Sequence, residues 1–227
     1  MRHVLFATLA LAAILSASVV EAQEITSPFR YVETSHSLGL RAGYLNTSTG
    51  DSGVGPEPSA IVGPVYTIRL TGPLTGMVGI SMLPTSRTIF ERVTIAADSV
   101  ELEAIGEADL LLLLGEAGLR FNVTGPRTWN GLAPYVGASL GFIGNLRSRP
   151  ALEEELEASQ RVSFGPGFAL GLGAGTDWFL TERFSIRAEA VDYLWRVTTP
   201  EGLSTAQRRQ SQWTNNLGLT FGAALHF

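Results

Sequence analysis

From residue 36 onward, apolar side chains return at every second position over much of the chain, the period of a strand whose two faces meet different surroundings. His36, Leu38, Leu40, Ala42 and Tyr44 share one face, and Ser37, Gly39, Arg41 and Gly43 the other. Tyr66, Ile68 and Leu70 oppose Thr67, Arg69 and Thr71 before Gly72-Pro73 stops the run. Leu74, Val78, Ile80 and Met82 follow, with Met77 out of step. Five leucines at 110–114 hide the period, which returns where Leu119, Phe121 and Val123 oppose Glu116, Gly118, Arg120 and Asn122. Val136, Ala138, Leu140 and Phe142 then face away from Tyr135, Gly137, Ser139 and Gly141. Phe168, Leu170, Leu172 and Trp178 oppose Gly171, Gly173, Gly175 and Asp177, and Phe184, Ile186 and Ala188 oppose Ser185, Arg187 and Glu189. The last run sets Leu217, Leu219, Phe221, Leu225 and Phe227 against Asn216, Thr220, Gly222 and His226.

Eight segments of about ten residues each suit a tilted crossing of a bilayer by strands. Their connections alternate long (46–61), short (72–73), long (83–107), short (124–131), long (144–163), short (180–183) and long (194–212). An even strand number with that alternation gathers both termini and every short turn on one side, the periplasmic side in outer-membrane barrels. The expected fold is therefore all-β: an eight-stranded antiparallel transmembrane β-barrel with short periplasmic turns and longer extracellular loops. A soluble barrel or sandwich also alternates, but its core would have to hold Arg41, Arg69, Glu116, Arg120, Asp177, Arg187 and Glu189. Turned inside out, the apolar face meets lipid and those charges fill the lumen, while closure pairs every strand edge.

Residues 1–22, MRHVLFATLALAAILSASVVEA, carry Arg2 and His3 ahead of an apolar stretch and end in a small-residue pattern. They predict an export signal cleaved after Ala22. The resulting plan is a signal peptide at 1–22, a periplasmic N-terminal segment at 23–34 and a barrel domain at 35–227. The absence of cysteine excludes thiolate chemistry and disulfides, and a net charge of -5 with no arginine cluster longer than two residues gives no support for nucleic acid as a partner, so none is expected.

Four arginines and three carboxylates on the inner face predict a salt-bridged lumen network of Arg41, Arg69, Glu116, Arg120, Asp177, Arg187 and Glu189. Gly171, Gly173 and Gly175 leave room opposite for bulky side chains, Arg187 and Glu189 being the candidates. Tyr44, Tyr66, Trp129, Trp178, Tyr193, Trp195, Trp213 and Phe227 are candidates for interfacial aromatic girdles. Catalysis on outer-leaflet lipid would need a serine beside a histidine base. After residue 22 only His36 and His226 remain; both fall at the periplasmic end, on closing strands, with His36 towards lipid and His226 towards the lumen. Glu153, Glu154, Glu155 and Glu157 read as a solvated loop. No catalytic, cofactor or metal residues are expected.

PYVGASLGF at 134–142, GLGAGTDWFLTERFSIRAEA at 171–190 and the final TFGAALHF resemble the outer-membrane β-barrel domain of the OmpA and OmpX superfamily. The resemblance spans His36 to Phe227. It implies an assembly signal at Thr220, Gly222, Leu225 and Phe227, read by the barrel assembly machinery after periplasmic chaperones deliver the chain. It also implies outer-membrane lipid and lipopolysaccharide as surroundings, charged lumen residues such as Arg187 and Glu189, and no peptidoglycan-binding domain after Phe227. The functional expectation is a structural or surface-interaction barrel closed by a polar lumen, with an extracellular protein or surface as partner. A narrow or gated pore is the first alternative and a lipid-modifying enzyme the second. In and just after 83–107, Val100, Leu102 and Ala108 share a parity opposite to that of Leu111 and Leu119, so a bulge or loop is expected to interrupt any strand running from Val100 to Val123. Such a hairpin would present Glu101, Glu103 and Glu107 to water.

Overall fold

The computed structural model describes residues 27–96, 99–204 and 211–227, the side chains of 94–96, 99 and 100 excepted. The expected signal peptide and its cleavage position lie outside the described residues. Eight long strands close into an antiparallel barrel: β2 (His36–Asn46), β3 (Ser59–Thr71), β4 (Leu74–Ala96), β5 (Ser99–Asn122), β7 (Leu132–Asn145), β8 (Gly167–Phe179), β9 (Phe184–Thr198) and β10 (Ser211–His226). Each pairs with its neighbour in sequence, and β10 closes on β2 from Leu217 opposite Asn46 to His226 opposite Ser37. Two short strands, β1 (Phe29–Tyr31) and β6 (Arg127–Trp129), pair with each other beside β7. Thus the 23–34 segment contains a strand and the 124–131 turn holds its partner.

The alternation in the chain becomes an inverted burial pattern. Phe142 and Phe221 are 66% and 68% exposed on the outer wall, while Arg41 and Arg120, pointing in, are each 3% exposed. Such a surface is stable only against an apolar solvent. Both described termini and the short turns meet at one end: His36 and Phe227 exchange backbone hydrogen bonds, and Arg69 N–H donates to the Ser35 carbonyl. The turn at Gly72-Pro73 has Thr71 opposite Leu74 and a φ of 46° at Gly72, the kind of turn position that selects glycine.

At the other end β4 and β5 continue together far past the belt. The stretch read as a long loop at 83–107 is mostly strand, with Pro84 opposite Leu111 and pairing continuing upward. The ladder slips at Ile105, which is unpaired between Gly106, opposite Ile89, and Ala104, opposite Phe90. A bulge therefore does interrupt the strand, but not for the reason that parity gave: Ala108 is buried on the same inward face as Leu110, Leu112 and Leu114, and the pairing between them is unbroken.

The interior is stratified. The half nearest the termini is polar and charged. The other half is an apolar plug in which Leu45, Ile61, Leu83, Leu112, Leu114, Ile143, Tyr193 and Trp195 converge, sealed by Val54, Val162 and Leu203 from three connections. The plug explains the leucine run: Leu110, Leu112 and Leu114 are buried inside, while Leu111 and Leu113 lie on the opposite, outward side. It also corrects the girdle assignment of Tyr193 and Trp195, which are 2% and 0% exposed inside the barrel. Tyr44, Trp129, Trp178, Trp213 and Phe227 are exposed on the outside.

Candidate functional site

The lumen is built in layers, read from the end that holds the termini. In the first, Arg187 of β9 grips Asp177 of β8 as a fork, Nε to Oδ1 at 2.7 Å and Nη2 to Oδ2 at 3.0 Å. The two residues stand opposite each other in the ladder. In the second, Arg120 Nη2 donates to Glu189 Oε2 at 2.8 Å, Tyr135 Oη donates to the same oxygen at 2.7 Å, and the Arg120 guanidinium lies 4.6 Å from the Tyr135 ring centre. In the third, Glu116 binds Arg41, and accepts from Ser139 Oγ at 2.7 Å and Tyr193 Oη at 3.2 Å, while Arg41 Nη2 also donates to Ser81 Oγ at 2.9 Å. Charge-assisted bonds of this kind offset the cost of taking the ions out of water.

Arg69 stands apart from this network. Its Nη1 donates to the Val32 carbonyl at 2.7 Å, and among the described residues it has no carboxylate partner. The glycine row on β8 makes room for tyrosines, not for Arg187 and Glu189. A Cβ at Gly175 would collide with Tyr135 Oη, and one at Gly171 would press on Ser139 Oγ and the Tyr193 ring. Tyr193 was concealed by its place near a strand end, although it shares the parity of Arg187 and Glu189.

Above the plug a further pair appears that the acidic loop did not foretell. Helix α1 (Ala151–Glu154) places Glu153, 1% exposed, against Arg87 Nη2 at 2.5 Å, and its other oxygen accepts from the Val162 N–H at 2.6 Å. Glu153 is therefore a buried anchor, whereas Glu154, Glu155 and Glu157 are exposed. Burial lowers the Arg87 guanidinium from its ordinary pKa, with Glu153 opposing that shift. Ile89, Ala108 and Leu156 pack beside this pair.

His36 and His226 do lie on opposite faces of the closing pair. The His36 ring stacks on Phe227 at 5.8 Å and meets Tyr66 Oη at 2.6 Å. His226 Nε2 lies 2.8 Å from Ser185 Oγ. This serine and histidine form a hydrogen-bonded pair, but Ser185 is completely buried and Asp177 is committed to Arg187. A carbonyl substrate has no approach to the hydroxyl. Of the residues assigned to assembly, Thr220 and Gly222 face inward, while Leu225 and Phe227 face outward. Among the described residues no group of three or more His, Asp or Glu side chains is placed to hold a metal ion.

An apolar belt around a charged, occluded lumen defines the class: the chain folds as a small eight-stranded β-barrel of the outer-membrane type. No protein-family model matches it, and no curated protein sequence matches it significantly. Among solved structures it is similar to neisserial surface protein A, with a TM-score of 0.52 at 14% identity over 88% of this chain and 98% of the other. The outer membrane protein OprG from Pseudomonas aeruginosa aligns with a TM-score of 0.49 at 14% identity, over 86% of this chain and 97% of the other. The N-terminal β-barrel domain of OprF from the same organism gives 0.46 at 13%, over 86% and 100%.

Proposed function

We infer that the chain is a non-catalytic, non-conducting barrel of the bacterial outer membrane, whose specific work lies on the extracellular surface. Occlusion of the lumen is the observation that carries this reading. The polar half contains cavities of about 70 Å³ at its mouth and about 20 Å³ between Glu116, Arg120 and Glu189, and the other half is filled by the apolar plug. A hydrated ion crossing it would have to displace Trp195 and the leucines. Planar-bilayer recordings of the native protein are expected to show no steady channel; ohmic conductance of porin size overturns the reading in favour of a pore.

The surface role is supported by the β4–β5 extension. About a dozen residues of each strand continue past Pro84 and Leu111, roughly 40 Å along the strands. Glu91, Arg92, Glu101, Glu103 and Glu107 are exposed on it. Ile89, Phe90 and Ala108 tie its base to the plug and loops, so the projection is anchored where it leaves the barrel. An extracellular protein or surface is the partner this shape fits, with lipid and lipopolysaccharide around the belt. Replacing residues 91–103 with a Gly-Ser turn keeps that base intact. Cells carrying the shortened chain are expected to lose adherence to immobilised matrix proteins that native cells bind. Equal adherence with a folded barrel removes the hairpin as the recognition element.

A further inference from the structure

We propose that the mouth of the lumen, at the end holding the termini, binds a small free oxyanion such as inorganic sulfate or phosphate. The cavity there, about 70 Å³, is lined by Thr34, Arg69, Thr75, Arg120, Asp177 and Arg187 among others. One water needs roughly 10–15 Å³, so the space takes several waters or one tetrahedral ion.

Among the described residues, the buried side-chain atoms around this cavity left without a partner are a guanidinium N–H and a hydroxyl, both able to donate. Both oxygens of Asp177 are taken by Arg187, and Glu189 Oε2 is shared by Arg120 and Tyr135. Arg120, 3% exposed, keeps a buried Nη1 with no partner, and the buried Oγ1 of Thr34 also has none. Arg69 spends one nitrogen on a carbonyl. Among the described residues, three lumen arginines are matched to three carboxylates and Arg69 is the surplus. An excess positive charge beside unpartnered donors selects an acceptor-only anion. Its oxygens would satisfy Arg120 Nη1 and Thr34 while its charge offsets Arg69. Because Arg69 is only partly buried, the site is within reach of solvent.

The test uses the full barrel refolded in maltoside micelles, which contain no phosphate, at constant ionic strength set with chloride. Sodium sulfate is titrated while the side-chain Nε resonances of Arg69 and Arg120 are followed by NMR. The expected result is a saturable shift of both, at least tenfold weaker in Arg69→Gln and unaltered in Arg196→Gln, an exposed arginine at the opposite end. Thr34→Val, with all arginines intact, is expected to weaken binding several-fold and decides the matter if Arg69→Gln does not fold. Shifts that only grow linearly with sulfate mean that the cavity holds water alone and overturn the proposal, as does saturable binding that survives both substitutions. If short-chain phosphatidylglycerol moves the resonances and neither sulfate nor phosphate does, the occupant is a lipid headgroup and the free-ion assignment fails.

Discussion

Glu116 accepts from Arg41, Ser139 and Tyr193, which come from β2, β7 and β9, so one side chain ties four strands together across the lumen. Glu116→Ala leaves a buried guanidinium without its counter-charge and two hydroxyls without an acceptor. Breaking a buried pair from one side costs about 3–5 kcal/mol. The denaturant midpoint of the refolded barrel is expected to fall by that equivalent with the slope unchanged. A loss below about 1 kcal/mol would mean that Arg41 finds another acceptor. The Arg147–Asp109 pair, with side chains 52% and 79% exposed, supplies the control: its removal is expected to change stability by no more than about 1 kcal/mol.

At the scale of the strands, the plug decides which aromatics matter to folding. Trp195→Ala opens a cavity among Leu45, Leu112 and their neighbours and is expected to cost about 3–5 kcal/mol, whereas Trp213→Ala on the outer wall costs less. Equal losses, measured by the same unfolding experiment, would place Trp195 against lipid after all. The eight strands and the short turns were legible because a polar lumen against an apolar exterior writes a period of two. The signal fades where both faces are apolar, which is why Leu110–Leu114 looked featureless and Trp195 passed for a girdle residue. Parity counted from Arg187 would have put Tyr193 and Trp195 inside. The slip at Ile105 was not legible from parity, because Ala108 shares the inward face of Leu110 and Leu112 and its parity needed no interruption. Glu153 was not legible, because its partner Arg87 lies 66 residues away and only the folded cap brings them together. The ribbon of β1 and β6 is too short to carry any period.

As a whole, the molecule has a lid at one end and a polar vestibule at the other, and the two ends differ in what reagents meet first. A cysteine at Glu154, exposed beside the buried Glu153, is expected to react with an impermeant maleimide on intact cells. One at Thr181, in the 180–183 turn, is expected to react only after the outer membrane is permeabilised. The opposite pattern would invert the topology. Ser52 is unsuitable as a reporter, because its hydroxyl is buried against Thr199. Building the plug from leucines has a consequence for the chain before it folds. Lipid and lumen both ask for leucine between Asp109 and Gly115, so the unfolded chain carries a continuous sticky run through water. Such windows nucleate aggregation unless charges bracket them. Glu107 and Asp109 on one side and Glu116 on the other stand in the position of gatekeepers, and Glu116 becomes a lumen hub only once the barrel has closed.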